Sequence, residues 1–264
     1  MNSGYKLYNG KIILKFDDKN HIYSVNGKTI YGVTSIVGIL DKPALMYWAV
    51  NMAVDFLGNN WQAGKPYDEV EIKTLLEDAR RAHRVKKDKT ADVGTMIHDW
   101  IEKYIKARIE KKPVPKKPIN KEMKNAIDGF FNWAKKNKVQ LIACEQKIYS
   151  KRYKYAGTFD LEAKVNNKRT IIDFKTGKAI YPEMFLQAAA YLQAKEEEKG
   201  EKYEGGVIIL RLAQEDKEIT PFEVQQIGRE EVQNLIKVFV CCLQVYKWRM
   251  HLKREAILNN VNSH

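Results

Sequence analysis

Cysteine is scarce in this chain, with three among 264 residues. Cys144, Cys241 and Cys242 are too few and too unevenly spaced for a disulfide framework or a zinc site, so packed, reduced thiols are expected. Long apolar runs are missing too: nothing reaches the roughly 18 uninterrupted apolar residues that a spanning helix needs. The opening stretch MNSGYKLYNG carries no signal-peptide core, and the expectation is a soluble, cytoplasmic protein, not secreted and with no membrane partner. Acidic residues are in deficit, 33 against 46 Lys and Arg, which leaves a formal charge of +13. Such a surplus sets up a broad positive field and favours polyanionic partners. An enzyme of small acidic substrates would account for the acids below but not for this charge.

What is present suffices for a large core, at 44% hydrophobic residues in a chain of this length. Alternating segments open the chain, and Asn26-Gly27 is the favoured pair for a two-residue hairpin turn. From Thr34 to about Trp61 the apolar spacing is helical, with Pro43 suited to a first turn. Two charged helical stretches follow near 67–85 and 90–110. The segment KKPVPKKP (111–118) reads as a stiff basic connection, so the expected division is a hairpin and helical region over 1–118 and a second region over 119–264, together one continuous globular unit. Beyond a helix at 120–137, QLIACEQKIYS, YAGTFDLEAKV and RTIIDFKTG read as successive strands with a turn at Asn166-Asn167. A helix from Pro182, a buried strand in YEGGVIILRL, an edge strand in EITPFEVQQI (218–227) and a long helix over 229–257 complete the order. That order predicts an α/β (α+β) fold, a mixed sheet flanked by helices.

Chemistry concentrates around two aspartates. Asp160 and Asp173 lie on different strands and can converge where those strands run side by side. Lys175 shares a face with Asp173, because side chains on a strand repeat every two residues. Two carboxylates can anchor a hard divalent ion such as magnesium when phosphate oxygens complete the shell. One such ion polarises a phosphoryl oxygen, and two can stabilise attacking and leaving oxygens together. Asp173 follows an apolar run, where an acid is costly unless its charge is compensated. Gln187 and Tyr191 share a face of the following helix, as do His98 and Glu102 on an earlier one; His98 is available as a neutral nitrogen ligand. Each feature also has a plain reading as a turn cap, a surface ion pair or a core side chain.

In combination, GTMIH, CEQKIYS, AGTFD, IIDFKTG and QAAAY resemble the RecB-like branch of the PD-(D/E)XK nuclease superfamily over roughly residues 94–192, and YGVTSIVGILDKPALMYWA is similar to the entry segment of its phage and mitochondrial exonucleases. The resemblance implies a restriction-endonuclease-like sheet. It implies that Asp160 and Asp173 are metal carboxylates, Lys175 the catalytic lysine, the Phe174 carbonyl and His98 further metal ligands, and Gln187 and Tyr191 substrate-orienting residues, with Glu145 supporting; Glu102, four beyond His98, is expected to support as well. Magnesium, or manganese, is the implied cofactor, as one or two ions. Many superfamily members have glutamate where this chain has Asp173. Relatives with an iron–sulfur cluster need four cysteines, so no cluster is expected here.

The function expected is a metal-dependent deoxyribonuclease, an exonuclease first, acting on DNA ends or single strands beside recombination, repair or replication proteins. Lysines at 86–89 and 111–117 and Trp48, Trp61 and Trp100 suggest that the helical N-terminal half arches over the site, gripping phosphates and stacking bases. A structure-specific or restriction-like endonuclease would use the same residues. A non-catalytic DNA-binding protein of this fold would be expected to lack Asp160, Asp173 or Lys175, and all are present.

Overall fold

The computed structural model describes residues 4–214 and 221–261, with side chains described up to residue 256. The chain divides into two compact units, one formed by residues 1–40 with 97–264 and the other by residues 41–96. Nine strands, β1 (Tyr5–Leu7), β2 (Ile12–Asp17), β3 (Ile22–Val25), β4 (Lys28–Gly32), β5 (Gln140–Ser150), β6 (Tyr155–Val165), β7 (Lys168–Lys175), β8 (Val207–Leu212) and β9 (Phe222–Ile227), form the mixed sheet of the larger unit among the described residues. Helices α1 (Val33–Val37), α4 (Lys121–Lys136), α5 (Pro182–Lys199) and α6 (Arg229–Val261) belong to the same unit. The fold class expected from the order of apolar patterns, a mixed sheet flanked by helices, is the fold observed. Residues 218–220 of the expected edge strand lie outside the described residues, and β9 takes the edge position next to β8.

Local chemistry explains the turns. Asn26 and Gly27 have φ of 50° and 75°, and Asn166 and Asn167 have φ of 48° and 66°. Both pairs thus take the left-handed conformation that tight hairpins need and that asparagine and glycine tolerate best. Asn120 caps α4 by accepting from the Met123 amide at 3.0 Å, a contact worth about 1 kcal/mol. Pro43 and Pro182 open α2 (Pro43–Asn60) and α5, and Gly200, at φ 69°, ends α5 in a left-handed cap.

Two features differ from the sequence expectation. The helical pattern from Thr34 to Trp61 is two helices, because Gly38 ends α1 and Pro43 starts α2. The stretches near 67–85 and 90–110 are one helix, α3 (Glu69–Ile109), of 41 residues. Lysine is a good helix former, so KKDKT at 86–90 offers no stop signal, and a lone Gly94 inside a helix is tolerated.

The strand pairing of β6 prepares the site. One edge of β6 pairs with β5 along most of its length. Its other edge is shared: β4 takes Tyr155 and Ala156 in parallel, and β7 takes Leu161 to Val165 antiparallel. Among the described residues, Gly157 to Asp160 have no strand partner on that edge. Where strands part, backbone and side-chain polar groups are released for other uses. The core of this unit lies between sheet and helices, with Tyr155, Phe159, Ile171 and Ile209 packed against Tyr191, Leu192 and Phe239.

The smaller unit contains α2 and most of α3. Trp48 meets His83 edge-on at 6.3 Å, and Trp61 stacks on Tyr67 at 4.7 Å with the Lys65 ammonium over the same tyrosine ring. It holds nine basic and nine acidic residues, so the net charge of +13 belongs to the larger unit.

Candidate functional site

Asp160 and Asp173 occupy opposite positions on β6 and β7, one step beyond the last pair, Leu161↔Ile172. The carboxylate of Asp160 takes the place of the missing strand contact, its Oδ2 accepting from the Phe174 amide at 2.5 Å. On the far side of Asp160, β5 pairs Cys144 with Leu161 and Gln146 with Phe159, leaving Glu145 opposite Asp160 with a φ of 50°. A glutamate held in the left-handed region within a strand is strained, and such strain collects at functional positions. Three acids therefore stand in one row across three adjacent strands.

Lys175 lies two residues beyond Asp173, and its ammonium approaches Asp173 Oδ2 at 2.5 Å. The contact is a close ion pair that offsets the charge on the buried Oδ2. The Asp173 side chain is 4% exposed, whereas Asp160 and Lys175 each keep 18%. His98, on α3, places Nδ1 3.7 Å from Asp160 Oδ1 and its ring edge-on to Phe174. Glu102, one turn on, is engaged by Lys106.

Helix α5 supplies the other wall. The Lys175 ammonium donates to Gln187 Oε1 at 3.1 Å, and Gln187 Nε2 donates to Tyr191 Oη at 2.7 Å and to Thr34 Oγ1 at 3.3 Å. Tyr191 packs where Gly157 leaves room: a Cβ there would stand 2.7 Å from the tyrosine ring. Glycine at 157 thus lets α5 approach the unpaired part of β6. Thr34 was not singled out from the sequence. Its signal lay in YGVTSIVG, but only the fold brings it next to a residue 153 positions away.

Burial and charge act on these groups in opposite directions. For Asp173, burial is the largest effect and the neighbouring Asp160 charge adds to it, so its pKa lies above the ordinary carboxylate value despite Lys175. Burial also raises Asp160, but His98, Lys175 and the Phe174 amide outweigh it and hold the carboxyl below its usual range. Desolvation would lower His98 and Lys175; the facing carboxylates prevail and raise both. Glu145 is pushed up to about 7, first by burial and then by the Asp160 charge. The two facing carboxyls are thus pushed in opposite directions, Asp173 up by burial and Asp160 down by its cationic and amide neighbours, a divergence of the kind found at functional sites.

That observation is the test of fit for a metal ion. Among the described residues no three His, Cys, Asp or Glu side chains form a ready cage. Asp160 and Asp173 nonetheless offer carboxylate oxygens from facing strand positions, with the His98 ring nitrogen 3.7 Å from Asp160. The chemistry of these residues fits a hard divalent ion.

Trp100 departs from its expected use as a stacking platform. Its side chain is buried, its indole N–H donates to the Lys116 carbonyl at 2.9 Å, and it stacks on Tyr104. The aromatic core of α3 and α4 claims it, so no base can reach its face.

No family model matches this chain, and no curated protein matches it in sequence. Among solved structures it is similar to the alkaline exonuclease LHK-Exo of Laribacter hongkongensis in complex with dAMP, at 10% identity and a TM-score of 0.37 over 62% of this chain and 85% of that one. A second structure of LHK-Exo gives 12% identity and a TM-score of 0.32 over 60% and 84%. SSO0001 gives 13% identity and 0.25 over 44% and 56%. Likeness this loose carries no conclusion about chemistry. Among the described residues, no helix is long and apolar enough to cross a membrane.

Proposed function

We propose that this chain is a metal-dependent deoxyribonuclease of the PD-(D/E)XK kind, an exonuclease that hydrolyses phosphodiester bonds at DNA ends or in single strands. The observation that carries the reading is the parting of β6 from β7 at Asp160 and Asp173, which gathers a half-buried carboxylate, a buried one and the Lys175 ammonium at the open end of the strands. Asp160, Asp173, the Phe174 carbonyl and His98 would hold magnesium or manganese, with Glu145 in the same row available as a further acid. When bound, a divalent ion there polarises a phosphoryl oxygen and acidifies a nearby water.

The chain's own groups have separable tasks. Asp160 and Asp173 fix the positive charge beside the scissile phosphate. Lys175, held by Gln187, aims its ammonium at the attacking water and offsets charge that builds on the phosphate oxygens. Gln187 in turn is oriented by Tyr191 and Thr34, so the lysine's position depends on helix α5 and on α1 together. His98 must be neutral to ligate, and the nearby carboxylates that raise its pKa would be countered by the metal charge. A net charge of +13 suits a polyanionic substrate.

The test is digestion of end-labelled linear DNA with magnesium, with EDTA, and by a Lys175→Ala protein. Cleavage only in the first case is expected. Persistent cleavage in EDTA would end the metal reading. A covalently closed single-stranded circle separates the two modes of attack: an exonuclease leaves it whole, and cutting it would assign the site to an endonuclease.

A further inference from the structure

Helix α6 has a second apolar face that the fold does not use. Val232, Ile236, Phe239 and Leu243 turn one side of it into the core. On the opposite side Val238, Cys241, Val245, Trp248 and Leu252 are spaced by three, four, three and four residues, and all five are exposed, Trp248 at 60%. Such spacing is the a/d seam of a helix that pairs with another helix. Scattered surface apolar residues need no explanation, but a contiguous stripe marks an interaction site.

The charge around the stripe selects its partner. From Val232 to Arg254 the helix has five lysines and arginines and no aspartate or glutamate. Lys237 and Arg249 border the stripe, at the g and e positions of the heptad that these five residues define. A second copy would oppose basic edge to basic edge in a unit that already carries the chain's whole net charge. We infer that this face of α6 docks an amphipathic helix of a different protein, one with apolar residues at heptad spacing and acidic residues along its edges. The recognition is of the helix-against-helix kind, with the apolar seam giving affinity and edge charges giving choice of partner.

The experiment uses the full chain and two fluorescent synthetic peptides of four heptads, both with leucine at a and d, one with glutamate and the other with lysine at e and g. Fluorescence anisotropy at physiological ionic strength is expected to show at least tenfold tighter binding of the glutamate peptide. Val245→Gln with Leu252→Gln, both at exposed positions, should reduce that binding at least tenfold without changing nuclease activity or helicity. Lys237→Glu with Arg249→Glu should shift preference toward the lysine peptide. Equal binding of both peptides, or binding of neither, overturns the inference, as does binding that survives the double glutamine variant. A dimer of the free protein that the glutamine variant dissolves would give the stripe to a second copy. Displacement of the glutamate peptide by single-stranded DNA would give it to nucleic acid, and either result overturns the proposal.

Discussion

Strands β6 and β7 and helix α5 hold two buried polar clusters, and the contrast between them separates structure from function. At one end, Glu162 is 2% exposed and fully engaged: Tyr203 Oη donates to it at 2.9 Å, Arg169 Nε at 2.7 Å, and the Lys195 ammonium stands 3.8 Å away. At the other end, Asp173 is equally enclosed but has a single cationic neighbour, Lys175, which it shares with a facing acid, Asp160, and its pKa is raised. A buried acid with several donors around it holds a fold together; two facing acids that share one ammonium favour a further cation. The same strands thus supply a rivet and a socket.

The largest expected effects break this contrast from both sides. Lys175→Ala and Asp173→Asn should each lower the cleavage rate by about 10³-fold or more, measured on end-labelled DNA. Asp173→Asn should change the thermal midpoint in EDTA little, because relief from burying the acid is offset by loss of the Lys175 ion pair. Glu162→Ala should behave in reverse, costing about 1 to 3 kcal/mol in urea unfolding because the buried Tyr203 hydroxyl loses its acceptor while Arg169 keeps Glu201 and Lys195 keeps Glu198, with cleavage per folded molecule unchanged. If Glu162→Ala removed activity and spared stability, the two clusters would have been misassigned.

A smaller effect probes the link between α5 and the lysine. Gln187→Ala frees the Lys175 ammonium and should lower kcat by about 10- to 100-fold, with DNA affinity retained in a nitrocellulose filter assay. Loss of affinity with kcat intact would place Gln187 on the substrate instead.

The smallest sharpens the electrostatics. Glu145 has a folded pKa of about 7, above the ordinary glutamate value, so the folded state holds its proton longer than the unfolded chain does. Its contribution is therefore full below about pH 4.5 and is lost as pH rises toward 7. With the side chain 31% exposed, solvent screening discounts the effect, and Glu145→Gln should stabilise the metal-free protein by about 2 kcal/mol at pH 8 and by almost nothing at pH 4.5. Equal unfolding midpoints for the two proteins at pH 8 would contradict the burial of this acid.

How far the sequence discloses these clusters depends on the range of the interactions. The strands β5 to β8 and their turns are readable because alternation and asparagine turns are local. So is the pairing of Asp173 with Lys175, which follows from a period of two. The continuity of α3 is not legible, because its lysine-rich middle contains no signal that would tell one helix from two. The contact of β4 with the start of β6, which leaves Gly157 to Asp160 without a partner on that edge, joins residues more than a hundred positions apart. Thr34 and the engaged state of Glu162 escape for the same reason: Arg169, Lys195 and Tyr203 look like ordinary surface and core residues until folding gathers them. Trp100 shows the opposite failure, since an aromatic near lysines suggests stacking on bases and the helix packing of α3 against α4 had already used it.

The central claim is that the open end of β6 and β7 seats a divalent cation. Titration of the protein with manganese, followed by electron paramagnetic resonance, tests it most directly. Wild type should bind the ion and Asp173→Asn should lose that binding while remaining folded. No binding by wild type, or identical binding by both proteins, would contradict the account.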